Sequence, residues 1–216
     1  MVVPMLMMAS CGPQPEENPF LSEYTTPFGV PPFDLIKTEH FVPAIEQGIM
    51  EHETEIQSIV SNPEVPTFEN TILALEYSGR TLSNVLSVFY NFNSSLTTPE
   101  LQQIAQEMAP RLSAHSDNIN LNLDLFARVK AVYDQRESLS LNAEQMKLLE
   151  EKHKGFIRSG AGLDESAQQR LREINGQLAT LTLQFGQNVL GQTNSFRMVV
   201  DNEEDLSGLP ATAIAS

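Results

Sequence analysis

Cysteine is nearly missing from this chain of 216 residues. The single one, Cys11, can form neither an intrachain disulfide nor a thiolate metal cluster, which excludes zinc ribbons and redox dithiol pairs. Compartment stays open, because a cysteine-poor chain folds inside or outside the cytosol. Basic residues are also scarce. Lys and Arg total 13 against 28 Asp and Glu, a formal net charge of −15, and no Lys/Arg run interrupts the acidity. Such a surface repels phosphate backbones, so nucleic acid is excluded as a partner. No stretch reaches the roughly 18 to 20 apolar residues that span a bilayer. The four histidines, His40, His52, His115 and His153, are far apart in sequence. A helix-borne zinc site needs two histidines four residues apart, so that both rings share a face. Four residues beyond His52 stands Ile56. Glu51, Glu53 and Glu55 point in different directions around a helix and read as a solvated face. No Gly-x-Ser-x-Gly elbow occurs, and Gly160-Ala161-Gly162 reads as a helix stop rather than a phosphate cradle. The residues therefore offer no catalytic group and no metal ligand.

What is present suits a packed domain: 41% of residues are apolar and 19% charged. Residues 1–10, MVVPMLMMAS, form a short apolar run ending in small residues before Cys11. This resembles the end of a bacterial lipoprotein signal peptide, and Cys11 is the candidate lipidation site. Residues 11–27 are then a flexible tether, and the membrane is met only through the lipid at Cys11. The pattern lacks a basic start, which leaves open an upstream beginning and a chance cysteine. The expected location is the cell envelope or periplasm, with the cytoplasm as the alternative.

Within an expected helical domain of residues 28–216, residues 28–34 (FGVPPFD) are irregular and the apolar spacing turns helical after them. Phe41, Ile45, Ile49, Ile56 and Ile59 make one row, ended by Asn62-Pro63. Thr67 caps a second helix, whose row runs Phe68, Ile72, Leu75, Leu82, Leu86, Phe89. Thr98, Pro99 and Glu100 open a third, with Leu101, Ile104, Met108 and Leu112. Leu121, Leu125, Val129 and Val132 mark a fourth. Asn142 and Gln145 resemble a capping box for the fifth, through Leu149, His153 and Phe156. Asp164 caps the longest, with Leu171, Ile174, Leu178, Leu181, Phe185 and Val189. Short connections favour antiparallel helical hairpins in a bundle, so the fold class is mainly α. Residues 195–200 (SFRMVV) are expected as a short β segment that lacks a partner strand. Gly208-Leu209-Pro210 starts another helix, and the chain reads as cut from a longer protein before any catalytic region.

Several segments carry a resemblance. They are Asn18-Pro19-Phe20-Leu21, Pro32-Phe33-Asp34-Leu35-Ile36, His40-Phe41-Val42-Pro43-Ala44, Pro66-Thr67-Phe68-Glu69-Asn70-Thr71-Ile72, Phe156-Ile157-Arg158-Ser159-Gly160-Ala161 and Gln184-Phe185-Gly186-Gln187-Asn188-Val189-Leu190. In this order they resemble the thimet oligopeptidase-like zinc metallopeptidases. The wording at Thr71-Ile72-Leu73-Ala74-Leu75-Glu76 is similar to the bacterial peptidyl-dipeptidase branch. The resemblance implies a helical protein of two lobes around a channel, with zinc held by an H-E-x-x-H helix and a downstream glutamate. The motif glutamate then activates the zinc-bound water that attacks a peptide bond. It also implies short peptides as substrates, a catalytic lobe as the partner of this one, and no zinc bound by these 216 residues. None of the family's functional residues falls on this sequence. On that expectation the chain is the non-catalytic N-terminal lobe, a wall of the channel. The alternative is a stand-alone helical lipoprotein module that binds peptides or partners.

Overall fold

From Pro99 onward, the longer helices begin where capping side chains stand. The computed structural model describes residues 17–214. In it, Thr98 Oγ1 accepts from the Leu101 N–H at 3.3 Å, and Pro99 occupies the first turn, where its missing N–H costs nothing. Asn142 and Gln145 cap each other reciprocally, at 2.9 and 3.0 Å. Asp164 Oδ1 accepts from the Ala167 N–H at 2.8 Å. The α-helices are α1 (Phe41–Val60), α2 (Ala74–Tyr77), α3 (Arg80–Ser95), α4 (Pro99–Asn120), α5 (Leu123–Asp134), α6 (Ala143–Arg158), α7 (Glu165–Ser195) and α8 (Ala211–Ile214). The fold is mainly α, as the spacing predicts.

Two sequence expectations need correcting. The row from Phe68 to Phe89 is not one helix. Thr67 caps a wide π-type turn, Phe68–Leu73, which leads into the short α2. The chain then breaks at Ser78, which is extended, and Gly79, at φ 70° and ψ 22°. Gly79 takes this left-handed turn at no Cβ cost. Nor is there a β segment at residues 195–200. Ser195 is the last residue of α7, residues 196–200 carry no strand, and among the described residues none exists to pair with them.

Helix α1 is the central element. Its first half joins α3 and α4 in one apolar cluster around Phe41, Ile45, Val85, Phe89 and Met108. Its second half joins α5, α6 and the π-type turn in another, around Ile59, Ile72, Leu125, Val129 and Leu149. Each fully buried side chain of this size contributes about 1.5–3 kcal/mol. Against α3, Phe41 meets Phe89 at 5.2 Å between ring centroids, and farther along Gly48 meets Leu82. The two backbones are so close there that a Cβ at Gly48 would lie 2.8 Å from Leu82 Cα. Within the span expected as tether, Asn18 Oδ1 caps a turn at Pro19–Leu21 and Phe20 is buried against Phe41. Core contacts thus begin ahead of residue 28.

Candidate functional site

Between the two apolar clusters lies a polar layer, crossed by three segments at one level. Helix α1 brings His52, α4 brings His115, and the break between α2 and α3 brings Ser78 and Gly79. His115 Nε2 and His52 Nδ1 stand 3.0 Å apart, with ring centroids at 5.0 Å. On its other side, His52 Nε2 lies 3.2 Å from Ser78 Oγ. Ser78 Oγ–H donates to the Leu75 carbonyl at 2.9 Å, so its one proton is committed. Ser78 therefore accepts from His52 Nε2–H, which leaves His52 Nδ1 as an acceptor and makes His115 Nε2–H the donor between the rings. By elimination His115 Nδ1 is a bare lone pair. It is buried without a hydrogen-bond partner, and Glu53 Oε1 stands 3.6 Å away.

Burial is the main cause holding His52 below the ordinary imidazole range. The charge His115 would carry acts in the same direction, while Glu55 and Glu53 oppose it. Glu55 Oε2 accepts the Gly79 N–H at 2.7 Å and so fastens the chain break to α1.

The other two histidines stand apart. His40 Nδ1 accepts the Lys37 N–H at 3.1 Å, and His153 stacks on Tyr133 with centroids 3.8 Å apart. Zinc does not fit what is here. Among the described residues no group of three His, Cys, Asp or Glu is placed to hold a metal, and the two meeting rings spend their facing nitrogens on each other.

The sequence reading missed this pair, because 63 residues separate its members. A signal was available. His52 falls between Ile49 and Ile56, and His115 between Leu112 and Ile119, each at a step of three and then four in an apolar row. Two histidines at such positions need each other.

A second feature is the outward face of α7. The helix lies along α4 through polar and small residues. Asn175 Nδ2 donates to the buried Asp117 Oδ1 at 2.7 Å, Arg172 donates to Asn118 Oδ1 at 3.2 Å, and Gln106 Nε2 donates to Gln187 Oε1 at 2.9 Å. Leu183 turns inward against the cluster of α1, α3 and α4, and the other bulky residues from Ile174 onward face the other way. Leu178 is 54% exposed, Leu181 58% and Phe185 70%, in line with Ile174 and Val189. In 31 residues only Gln168 is buried. Leu178 also edges an open groove of about 570 Å³, floored by Tyr90, Leu112 and Leu183. Phe196, Met198 and Val199 continue the exposed apolar surface past the helix. The row that the sequence marks on the longest helix is therefore real, and it faces solvent. Among the described residues no helix is long and apolar enough to cross a membrane. Cys11, the candidate lipidation site, lies outside the described residues.

No family model matches the chain. It is 40% identical over 198 residues to the dipeptidyl carboxypeptidase of Escherichia coli K12, covering 92% of this chain and 29% of that protein. The dipeptidyl carboxypeptidase of Salmonella typhimurium LT2 is 41% identical over 192 residues, 89% of this chain and 28% of the relative. Oligopeptidase A of Haemophilus influenzae is 34% identical over 186 residues, with 86% and 27% covered. The chain thus spans less than a third of the length of these relatives. Its likeness to them nonetheless extends over most of this chain, which resembles part of the thimet oligopeptidase family metallopeptidases to which these relatives belong.

Proposed function

We propose that this chain is the non-catalytic N-terminal lobe of a zinc peptidase that releases dipeptides from short peptides. Its helices, taken as antiparallel hairpins, form one wall of the substrate channel. The observation that carries the reading is the outer face of α7, a row of large apolar side chains turned to solvent. Apolar surface of that extent marks a contact with another protein surface. Relatives more than three times as long supply a candidate for it, since this chain spans 29% of the Escherichia coli protein. On this reading the remaining part of a longer polypeptide covers the face and brings the zinc. The residues described here do not fit that metal, so they contribute binding surface, shape and the exclusion of folded substrates, and no step of the hydrolysis is assigned to them.

The test compares the 216-residue chain with the product of the coding sequence read past Ser216. The longer product is expected to contain about one zinc and to release C-terminal dipeptides, while the short chain does neither. A reading frame that stops at once, with no separate subunit restoring activity, would overturn the proposal and leave a stand-alone binding module. Cys11 is proposed as the lipid attachment point and the cell envelope as the location, on the pattern of residues 1–10. Fatty-acid labelling that survives Cys11→Ser would reject that attachment point, and no labelling of the unmodified protein would favour the cytoplasm.

A further inference from the structure

We propose that the polar layer holding His52, His115 and Ser78–Gly79 is an acid-operated joint between the two apolar halves of the lobe. It is closed while the ring pair carries at most one added proton and opened by the second. The argument starts from the direction of the hydrogen bonds. The Leu75 carbonyl, the Ser78 hydroxyl, His52 and His115 form a single file, in which every proton points toward Leu75. Such a file ends in one unused acceptor, His115 Nδ1, on a side chain that is 6% exposed.

A proton placed on that nitrogen leaves the file intact. It arrives opposite Glu53 Oε1, now 3.6 Å away, and converts an unpartnered lone pair into a charge-assisted N–H. The bond from His115 Nε2–H to His52 Nδ1 survives this step and is strengthened by the donor's charge. The second proton has only one place to go, His52 Nδ1. There it removes the acceptor, sets two N–H groups against each other at the 3.0 Å contact and adds a second positive charge. Burial and the neighbouring charge both oppose that step, in keeping with the lowered proton affinity of His52.

The surrounding charges do not cancel the effect. Glu53 and Glu55 come from α1, and Glu55 is engaged by the Gly79 amide. Across the adjoining depression, Glu76 at the end of α2 pairs with Lys152 of α6 at 2.7 Å, beside Glu151. Arg80 opens α3 at the surface, and Asp117 of α4 is turned to Asn175 of α7. Position gives the joint its leverage. Above it α1, α3 and α4 share one apolar cluster, and below it α1 meets α5 and α6 in the other. The layer is also where the chain is already broken, at Gly79.

The sign follows from linkage. His52 is held below its ordinary value in the closed state and regains that value when the layer opens. Closure is therefore complete above the ordinary imidazole range and is lost as pH falls through it toward the lowered value.

The test uses the whole 216-residue chain. Ring nitrogen spectra from pH 8 to pH 5 are expected to find both His52 and His115 as the Nε2–H tautomer at pH 8, and the bond between the rings lost where His52 Nδ1 takes its proton. The Gly79 amide, corrected for intrinsic exchange, is expected to open about tenfold more for each pH unit over the range where one proton is taken up on opening. His52→Asn keeps an oxygen acceptor near the Nδ1 position but cannot take the proton, and it should make Gly79 opening independent of pH. A bond between the rings that survives protonation of His52 Nδ1, or Gly79 exchange indifferent to pH, would overturn the proposal. If His52→Asn fails to fold, the ring spectra of the unmodified chain decide alone.

Discussion

Replacing Gly48 by alanine tests the close approach of α1 and α3. A Cβ there would meet Leu82 Cα at 2.8 Å, Leu82 N at 2.9 Å and Leu82 Cβ at 3.0 Å. Carbon atoms rest at about 3.5–4.0 Å, so α1 and α3 would have to part by roughly 0.7–1.2 Å. The obstacle is backbone, and no rotamer change relieves it. Parting the helices loosens the cluster around Phe41, Val85 and Phe89, and overpacking of this kind costs about 1–3 kcal/mol. Alanine returns about 1 kcal/mol of helix propensity. With the cost taken near its upper end, the net is a loss of about 1–2 kcal/mol. Gly155 of α6 supplies the control, because a Cβ there meets nothing within 4 Å. Gly155→Ala should gain about 0.5–1 kcal/mol. At about 2–4 °C per kcal/mol for a chain of this size, the two variants should melt about 3–12 °C apart. Thermal and urea unfolding followed by far-ultraviolet circular dichroism measures both. If Gly48→Ala proves as stable as Gly155→Ala, the close approach of α1 and α3 is refuted.

Thr98→Ala removes the oxygen that caps α4 and should cost about 1 kcal/mol in urea unfolding, whereas Thr98→Asn should restore most of it; an unchanged midpoint in the alanine variant would deny the cap a role. Aspartates at Leu178, Leu181 and Phe185 together should change the stability of the isolated chain by less than about 1.5 kcal/mol, because these side chains are exposed. In size-exclusion runs at rising concentration the same triple variant should associate less than the parent chain. A large loss of stability would mean that α7 buries this row against its own domain.

How much of this was legible in sequence depends on how local the signal is. The caps at Thr98, Asn142 and Asp164 were readable because each acts on a backbone N–H three residues ahead. The break at Gly79 was not, because Leu75 and Leu82 are seven residues apart and keep the apolar row in phase across it. Only the Ser78-Gly79 pair hinted at a turn. Residues 195–200 have the composition of a strand, but composition cannot provide a neighbour, and strand geometry needs one. The row on α7 was visible, yet a row does not say what covers it. Here Asn175, Ala179 and Leu183 took the inward side, and the larger residues were left outside. The histidine pair required knowing that α1 and α4 cross at one level, which is tertiary information.

The polar seam between α4 and α7 has a further consequence. A seam of leucines tolerates sliding, since one apolar contact replaces another at little cost. The bonds Asn175–Asp117, Arg172–Asn118 and Gln106–Gln187 do not, because each is satisfied at one setting only. A slip by one helical turn, about 5.4 Å, would break all three at once and strand a carboxylate below the surface. The seam thus works as an index mark, and the apolar row on the far side of α7 is presented at a defined height. Whatever surface is built to receive that row can be cut to its spacing.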